Sequence, residues 1–152
     1  MGNLKDRLRT DLTSAMKARD KDRAGTLRMV LASITEAEVA GKEAKELTDD
    51  EIITILTREA KKRREAATAF AEGGRPEQAE KETAEAAVIT EYLPAQLSAE
   101  EISDLVSKAI AQTGAAELGM KGMGKVMGVL TPQTKGKADG GAVAAEVRKQ
   151  LA

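Results

Sequence analysis

Residues 48–74 decide the fold, and they read TDDEIITILTREAKKRREAATAFAEGG. Thr48 and Glu51 have the spacing of a capping box, in which each side chain accepts a hydrogen bond from the other residue's backbone N–H at the start of a helix. No proline or glycine follows until Gly73, and most of the intervening residues are strong helix formers. The stretch therefore predicts one helix of about 24 residues, or roughly 36 Å.

Helical patterns continue towards the N-terminus and up to the next prolines. A first helix has apolar residues at four-residue spacing: Leu4, Leu8, Leu12 and Met16. A second helix precedes Gly41, which we expect to end it in the left-handed conformation. Pro76 suits the first turn of a fourth helix, and Pro94 ends that helix because proline disfavours helical backbone in the residue before it. Residues 1–94 are thus predicted to form an N-terminal domain of four helices.

Residues 95–152 predict a smaller C-terminal domain of three helices. Ser98 and Glu101 form a second capping box at the start of the first helix. Two shorter helices are predicted at roughly 120–130 and 140–151. The earlier of the two is expected to stop before Pro132. The fold class predicted for the whole chain is therefore all-α, without a β-sheet.

The composition agrees with a helical fold and removes several kinds of chemistry. The only aromatic residues are Phe70 and Tyr92, whereas strands are enriched in aromatic and β-branched residues. Cysteine and histidine are absent, which excludes disulfides, thiolate nucleophiles, imidazole bases and Cys/His metal sites. Acid–base chemistry by carboxylates stays open, although no pair of residues is singled out for it. We expect no catalytic residue, no metal and no cofactor in this chain alone.

A glycine-rich stretch, GMKGMGK at residues 119–125, resembles two phosphate-binding loops. Its spacing fits the loop of nucleotide hydrolases as far as Lys125, but Val126 follows and offers no hydroxyl for magnesium. The spacing of Gly119 and Gly122 also matches the backbone clamp of KH domains, which needs neighbouring strands that are not predicted here. A turn and a close approach between helices, with the lysines exposed, explain the glycines better.

Charge is unevenly distributed along the chain, although the net charge is only −1. Residues 118–152 carry six basic side chains against two acidic ones. The six basic residues are Lys121, Lys125, Lys135, Lys137, Arg148 and Lys149. We predict that they face a polyanion; the alternative is a surface that is basic for solubility.

Four consecutive basic residues in the long helix form a second candidate: Lys61, Lys62, Arg63 and Arg64. Glu59 lies four residues before Arg63, and Glu65 lies four residues after Lys61. Such pairs explain most of the run as a solvated, ion-paired face. A secondary basic face that contacts a polyanion or a protein partner is the other interpretation.

Two groups of segments resemble known proteins. Residues 91–98, EYLPAQLS, together with KKRRE at 61–65, are similar to the YqeY family of small bacterial helical proteins, and this resemblance covers the whole chain. Residues 123–127, MGKVM, and 134–139, TKGKAD, resemble the tail domain of GatB over about residues 96–152. GatB is a subunit of the amidotransferase that converts misacylated Asp- or Glu-tRNA with glutamine.

The resemblance implies a two-part helical fold whose C-terminal part, in GatB, is a tRNA-binding tail. It also implies carbon–nitrogen ligase activity with glutamine as amido-nitrogen donor. This chain could support that activity only within an assembly, because it has no recognisable P-loop or amidase centre. The scarcity of aromatic residues favours contacts with the sugar–phosphate backbone of tRNA over stacking on unpaired bases.

We therefore expect a tRNA-binding or tRNA-associated module without stand-alone catalysis. Two alternatives stay open: an accessory component of a glutamine-dependent amidotransferase, with that enzyme's subunits as partners, and a helical protein–protein adaptor without an RNA role. No apolar run approaches the roughly 20 residues that span a bilayer, and no signal peptide is recognisable. A cytoplasmic protein without a membrane partner is expected.

Overall fold

The computed structural model describes residues 3–152, and every regular element in that range is helical. The elements are α1 (Asn3–Lys17), α2 (Lys21–Val39), α3 (Asp49–Glu72), α4 (Pro76–Thr90), α5 (Ala99–Thr113), a 3₁₀ helix (Ala115–Gly122), α6 (Met123–Thr134) and α7 (Gly140–Leu151). Because residues 3–152 contain no strand, the all-α prediction is confirmed.

Internal packing divides the chain into two compact units that meet between Leu93 and Pro94. We call them the N-terminal unit and the C-terminal unit. Their junction lies one residue before the boundary predicted after Pro94.

Two helical hairpins build the N-terminal unit. α1 packs against α2, α3 packs against α4, and α2 also contacts α4. All four helices contribute fully buried side chains: Leu8, Leu27, Ile34, Ile52, Leu56 and Ile89. Burying such a side chain stabilises a fold by about 1.5–3 kcal/mol. Every residue from 71 to 78 is exposed, so the turn between α3 and α4 lies outside this core.

Both predicted capping boxes are present. The Thr48 hydroxyl accepts a hydrogen bond from the Glu51 N–H at 3.2 Å, and the Glu51 carboxylate accepts one from the Thr48 N–H at 3.2 Å. Ser98 and Glu101 make the same two bonds at 3.1 and 3.0 Å. These caps define the starts of α3 and α5, because they satisfy backbone donors that have no partner within the helix.

The prediction that a helix stops before Pro132 was wrong. α6 continues to Thr134 and contains Pro132 within its last turn. Proline removes one N–H and so weakens the helix, but this position is exposed and close to the helix end. The Thr134 hydroxyl donates to the carbonyl of Leu130 at 3.1 Å and supports the same turn.

One smaller prediction, about the end of the second helix, was also wrong. Gly41 does not end α2 in the left-handed conformation; α2 ends at Val39, and Ala40 follows with right-handed φ and ψ angles of −70° and −26°. The chain turns there with a hydrogen bond from the Lys45 N–H to the Glu38 carbonyl at 3.0 Å. In α1, Met16 is 52% exposed, so the four-residue spacing of apolar residues does not continue as a buried stripe to the end of the helix.

A buried ion pair joins α1 to the end of α2. Lys5 Nζ lies 2.6 Å from Glu38 Oε1, and both side chains are 11% exposed. The Glu38 carboxylate also accepts a hydrogen bond from the Leu47 N–H at 3.2 Å. The hydrogen bond from Lys5, and then that from Leu47, hold the pKa of Glu38 below its ordinary value.

We expect this pair to make folding sensitive to acid. A carboxyl whose pKa is lowered by folding adds stability above its unfolded pKa, near 4.5, and that stability is lost as the pH falls through the folded pKa. Glu38→Gln should lose about 1–2 kcal/mol at pH 7, but less at pH 3.5, which lies below the unfolded pKa, because folding of the wild type must then ionise a carboxyl that is protonated in the unfolded chain. Urea unfolding of both proteins at the two pH values measures this, and an equal loss at both would contradict it.

Candidate nucleic-acid interface

The helices of the C-terminal unit turn one face inwards and leave the basic residues outside. α5, α6 and α7 contact one another, and the 3₁₀ helix contacts all three. Their fully buried side chains form a second core: Val106, Val126, Leu130, Val143 and Val147. All six basic residues predicted to face a polyanion are exposed. Across residues 3–152, none of these six side chains has an ion-pair or hydrogen-bond partner.

The first two lysines of the site flank the glycine-rich stretch, which is a turn and a close helix approach, as predicted. Gly119 has a positive φ of 58° and breaks the helical path of the chain. Gly122 is buried, and a Cβ atom at this position would lie 2.7 Å from the Cβ of Ala115. This packing sets the direction in which α6 leaves the 3₁₀ helix. Lys121 therefore lies just before α6, and Lys125 lies within its first turn.

The next two lysines lie in the turn between α6 and α7. Gly136 separates them and has a positive φ of 74°. The Gln96 side-chain amide donates to the Gly136 carbonyl at 2.8 Å, and the Leu97 N–H donates to the Lys137 carbonyl at 2.8 Å. The segment before α5 thus fixes the backbone between Lys135 and Lys137. Sequence reasoning missed both anchors, although both lie in the segment that resembles the YqeY family.

The last two basic residues, Arg148 and Lys149, lie in the last turn of α7. They are exposed, whereas Val147 and Leu151 of the same turn are buried. α6 is about 18 Å long. Lys121 and Lys125 lie near its start, and Lys135 and Lys137 follow its end, so these two pairs of lysines are separated by roughly that distance. α7 runs from the second pair and packs against both α6 and the 3₁₀ helix.

The basic run on α3 is not one exposed face. Arg63 is only 6% exposed, with guanidinium nitrogens 3.1 Å from Glu59 Oε1 and 3.2 Å from Glu85 Oε2. It also donates to Met29 Sδ at 3.8 Å. Including Arg63 in the secondary basic face was wrong, because its side chain is held between α3, α4 and α2. We call Arg63, Glu59, Glu85 and Met29 the Arg63 cluster.

The other three members of that run are exposed. Lys62 lies 3.2 Å from Glu59, and Lys61 lies 4.0 Å from Glu65. Arg64 is exposed. Only Lys61, Lys62 and Arg64 can therefore contribute to a surface contact on α3.

Tyr92, which follows the end of α4, contacts side chains of α1 and α2. Its ring is buried beneath the Arg7 guanidinium, 4.5 Å from the ring centre, and its hydroxyl donates to the Asp11 carboxylate. Burial, and then the Asp11 carboxylate, raise the pKa of Tyr92 to about 12. The adjacent Glu91 accepts from Arg23 at 2.8 Å. Tyr92 is thus a protonated structural anchor, a role that the sequence did not indicate.

A groove of about 840 Å³ lies between α2 and α4. The α2 side contributes mainly basic residues, namely Lys21, Arg23 and Arg28, and the α4 side contributes mainly acidic ones, namely Glu77, Glu80 and Glu85. Met29 of α2 also lines the groove and is 51% exposed. The groove has no counterpart among the predicted sites.

Neither a metal centre nor a membrane span is found in the part of the chain that the structure describes. Residues 3–152 contain no group of three or more acidic residues placed to hold a metal ion. In the same range, each helix is too short or too polar to cross a bilayer.

Residues 3–152 thus form a small helical protein of two compact units, and the second unit exposes six basic side chains. The chain belongs to the YqeY family: a family model described as "Yqey-like protein" matches residues 5–151. The likeness to the GatB tail stays a resemblance in sequence.

Two relatives extend the comparison to fungi. The chain is 35% identical over 97 residues to the uncharacterized protein C22F3.15 of Schizosaccharomyces pombe (strain 972 / ATCC 24843), covering 63% of this chain and 76% of the relative. It is 30% identical over 135 residues to altered inheritance of mitochondria protein 41, mitochondrial, of Pyrenophora tritici-repentis (strain Pt-1C-BFP), covering 87% and 71%. The second relative carries a mitochondrial name, and the cytoplasmic location of this chain stays a prediction.

Proposed function

We propose that this protein binds the sugar–phosphate backbone of a folded RNA, with tRNA as the ligand that the GatB-like tail implies. The contact surface is the set of six basic side chains in the C-terminal unit. The observation that carries the proposal is that all six are exposed without an ion-pair partner in residues 3–152. Unpaired surface cations release counterions from a nucleic acid when they bind it.

The residue types favour backbone contacts over base stacking. Residues 94–152 contain no aromatic residue, and proteins that hold single strands usually stack bases on aromatic rings. Lysine acts as a mobile point charge, which suits phosphate groups at varied positions. The chain would then position or protect an RNA, and any chemistry on that RNA would belong to a partner.

We expect binding to tRNA to depend steeply on salt. If about four phosphates are neutralised, the logarithm of the binding constant should fall with the logarithm of salt concentration with a slope of about −3 to −4. Replacing Lys125 and Lys137 with alanine should flatten the slope by about two units and weaken binding to many tRNA sequences alike. Titration of fluorescent tRNA at several salt concentrations measures both.

A matched variant separates this surface from general charge effects. Lys17 and Lys42 are exposed lysines of the N-terminal unit, and their replacement by alanine removes the same charge from the protein. This control should leave the slope close to the wild-type value. Equal flattening in both double variants would contradict the assignment, as would binding that does not respond to salt.

A protein–protein adaptor is the second candidate, and the groove between α2 and α4 favours it. Its walls carry opposite charges and the half-exposed Met29 also lines it, which suits an amphipathic helix of a partner. The exposed Lys61, Lys62 and Arg64 extend the choice of contacts. Pull-down from lysate, with RNA sequencing and protein identification in parallel, distinguishes the candidates. Recovery of amidotransferase subunits without RNA would favour an accessory role in a glutamine-dependent carbon–nitrogen ligase.

A further inference from the structure

Two glycines of α6 have no explanation in the packing of this chain. Gly124 and Gly128 lie within the helix and are exposed, and a Cβ atom built at either would have no heavy atom within 4 Å. Glycine is among the least favourable residues inside a helix. Other glycines of the C-terminal unit serve the fold: Gly119 has a positive φ, and Gly122 contacts Ala115 closely. Alanine at positions 124 and 128 would suit the isolated protein better.

Both glycines lie on the face of α6 that no other element covers. Gly124, Gly128 and Thr131 follow one another at spacings of four and three residues, which places them on one side of a helix, and all three are exposed. Val126 and Leu130 occupy the opposite, buried side. Because Gly124 and Gly128 have no side chains, another molecule can approach the backbone of α6 closely on this face.

Unpaired positive charge surrounds the same face. Lys125 is the neighbour of Gly124, Lys121 precedes the helix by two residues, and Lys135 follows its last residue. None of the three has an ion-pair partner in residues 3–152. An apolar partner surface would leave these charges uncompensated. A polyanion complements them.

Pro132 leaves one backbone carbonyl of α6 without its usual helical donor. It lies within α6 and is exposed, and because it has no N–H it cannot donate to the carbonyl of Gly128, four residues earlier. In an RNA duplex, the wide and shallow minor groove displays 2′-hydroxyl groups, which can donate hydrogen bonds.

We infer that the exposed face of α6, centred on Gly124 and Gly128, binds the minor-groove side of double-helical RNA. At the two glycines, the sugar–phosphate backbone of the RNA can contact the backbone of α6. The flanking lysines neutralise phosphates, and the Gly128 carbonyl accepts a hydrogen bond from a 2′-hydroxyl. The ligand class is thereby narrowed from folded RNA to its double-helical parts. This inference rests on the proposed function, because it places the contact within the same cationic surface.

The test is the double variant Gly124→Ala/Gly128→Ala in the full chain, with a fluorescent RNA hairpin and a DNA hairpin of matching sequence as probes. The variant should unfold at the wild-type temperature or above it, yet bind the RNA hairpin at least tenfold more weakly. Wild type should prefer RNA to DNA by a similar factor, and the variant should lose this preference. Gly25→Ala is the matched control, since Gly25 is a glycine inside α2 that also has nothing within 4 Å of an added Cβ. It should leave binding unchanged.

The outcomes separate this inference from the proposed function. If the glycine variant binds the RNA hairpin as tightly as wild type while Lys125→Ala/Lys137→Ala binds weakly, the α6 contact is refuted and the cationic surface stands. If the glycine variant unfolds at a lower temperature, the glycines serve the fold and the inference fails. Equal affinity of the wild type for RNA and DNA refutes recognition of the 2′-hydroxyl. A wild type that binds no RNA refutes both proposals.

Discussion

Replacing Arg63 with alanine should lower the free energy of unfolding by about 3–5 kcal/mol, because Glu85 loses its ion-pair partner and Glu59 keeps only the exposed Lys62. Arg63 is paired with Glu59 at 3.1 Å and with Glu85 at 3.2 Å. Burial alone would raise the pKa of Glu59, and the hydrogen bonds from Arg63 and Lys62 now hold it below the ordinary value. Denaturant unfolding of the full chain at pH 7 measures the loss.

Arg64→Ala provides the matched control for this prediction. It removes the same side chain one position along α3, but from an exposed site, so the change should stay within about 0.5 kcal/mol. Similar losses in the two variants would mean that the Arg63 cluster does not hold α3, α4 and α2 together. The comparison also separates a structural role from a binding role for the two arginines of this run, since Arg64 is exposed and Arg63 is buried.

Gly122→Ala should destabilise the C-terminal unit by about 2–3 kcal/mol, because the added methyl group overpacks a closed contact. The new Cβ would lie 2.7 Å from the Cβ of Ala115 and 3.0 Å from its carbonyl oxygen. The 3₁₀ helix and α6 would have to separate to relieve this overlap. Far-UV circular dichroism during thermal unfolding reports the loss of helix.

A second substitution tests the cause of that loss. Ala115→Gly removes the nearest atom of the clash, so the double variant Ala115→Gly/Gly122→Ala should recover part of the stability. Recovery should be incomplete, because the backbone of residue 115 also lies within 3.1 Å of the new Cβ. A double variant no more stable than Gly122→Ala alone would assign the loss to another origin.

Local sequence signals predicted the helices well because their ends depend on a few neighbouring residues. The capping boxes at Thr48 and Ser98 need only the glutamate three positions later, and both form. Helical periodicity was less reliable over several turns. Met16 lies about 80° around the helix from Leu8, whereas Ala15 lies only about 20° away, so Ala15 is buried in line with Leu8 and Met16 is exposed.

The site was harder to predict because charge alone does not tell which side of a helix a residue takes. Arg63 continues a buried stripe of α3 that includes Ile52, Leu56 and Ala60 at spacings of four, four and three residues. That periodicity was the available signal, and the lysines beside Arg63 obscured it. The partners Glu85 and Met29 lie 22 and 34 residues away in sequence, so no local pattern could have identified them.

The contacts that fix the turn between α6 and α7 could not be predicted from the sequence for the same reason. Gln96 and Gly136 are 40 residues apart in sequence. No local sequence pattern relates this turn to the segment before α5. By contrast, the exposure of the six basic residues in the C-terminal unit agreed with the sequence, because a charged side chain is rarely buried without a partner.

The position of Tyr92 allows the unfolding of the N-terminal unit to be followed separately by ultraviolet spectroscopy. Tyr92 and Phe70, its two aromatic residues, both lie in the N-terminal unit, and Tyr92 is held rigidly between Arg7 and Asp11. Tyrosine fluorescence and near-ultraviolet circular dichroism therefore follow the melting of that unit, and the C-terminal unit is silent at those wavelengths. Far-ultraviolet circular dichroism follows the helices of both. If the unfolding curves from the two methods coincide, both units unfold in a single cooperative transition. If the curves differ, the difference gives the stability of the C-terminal unit without an added label.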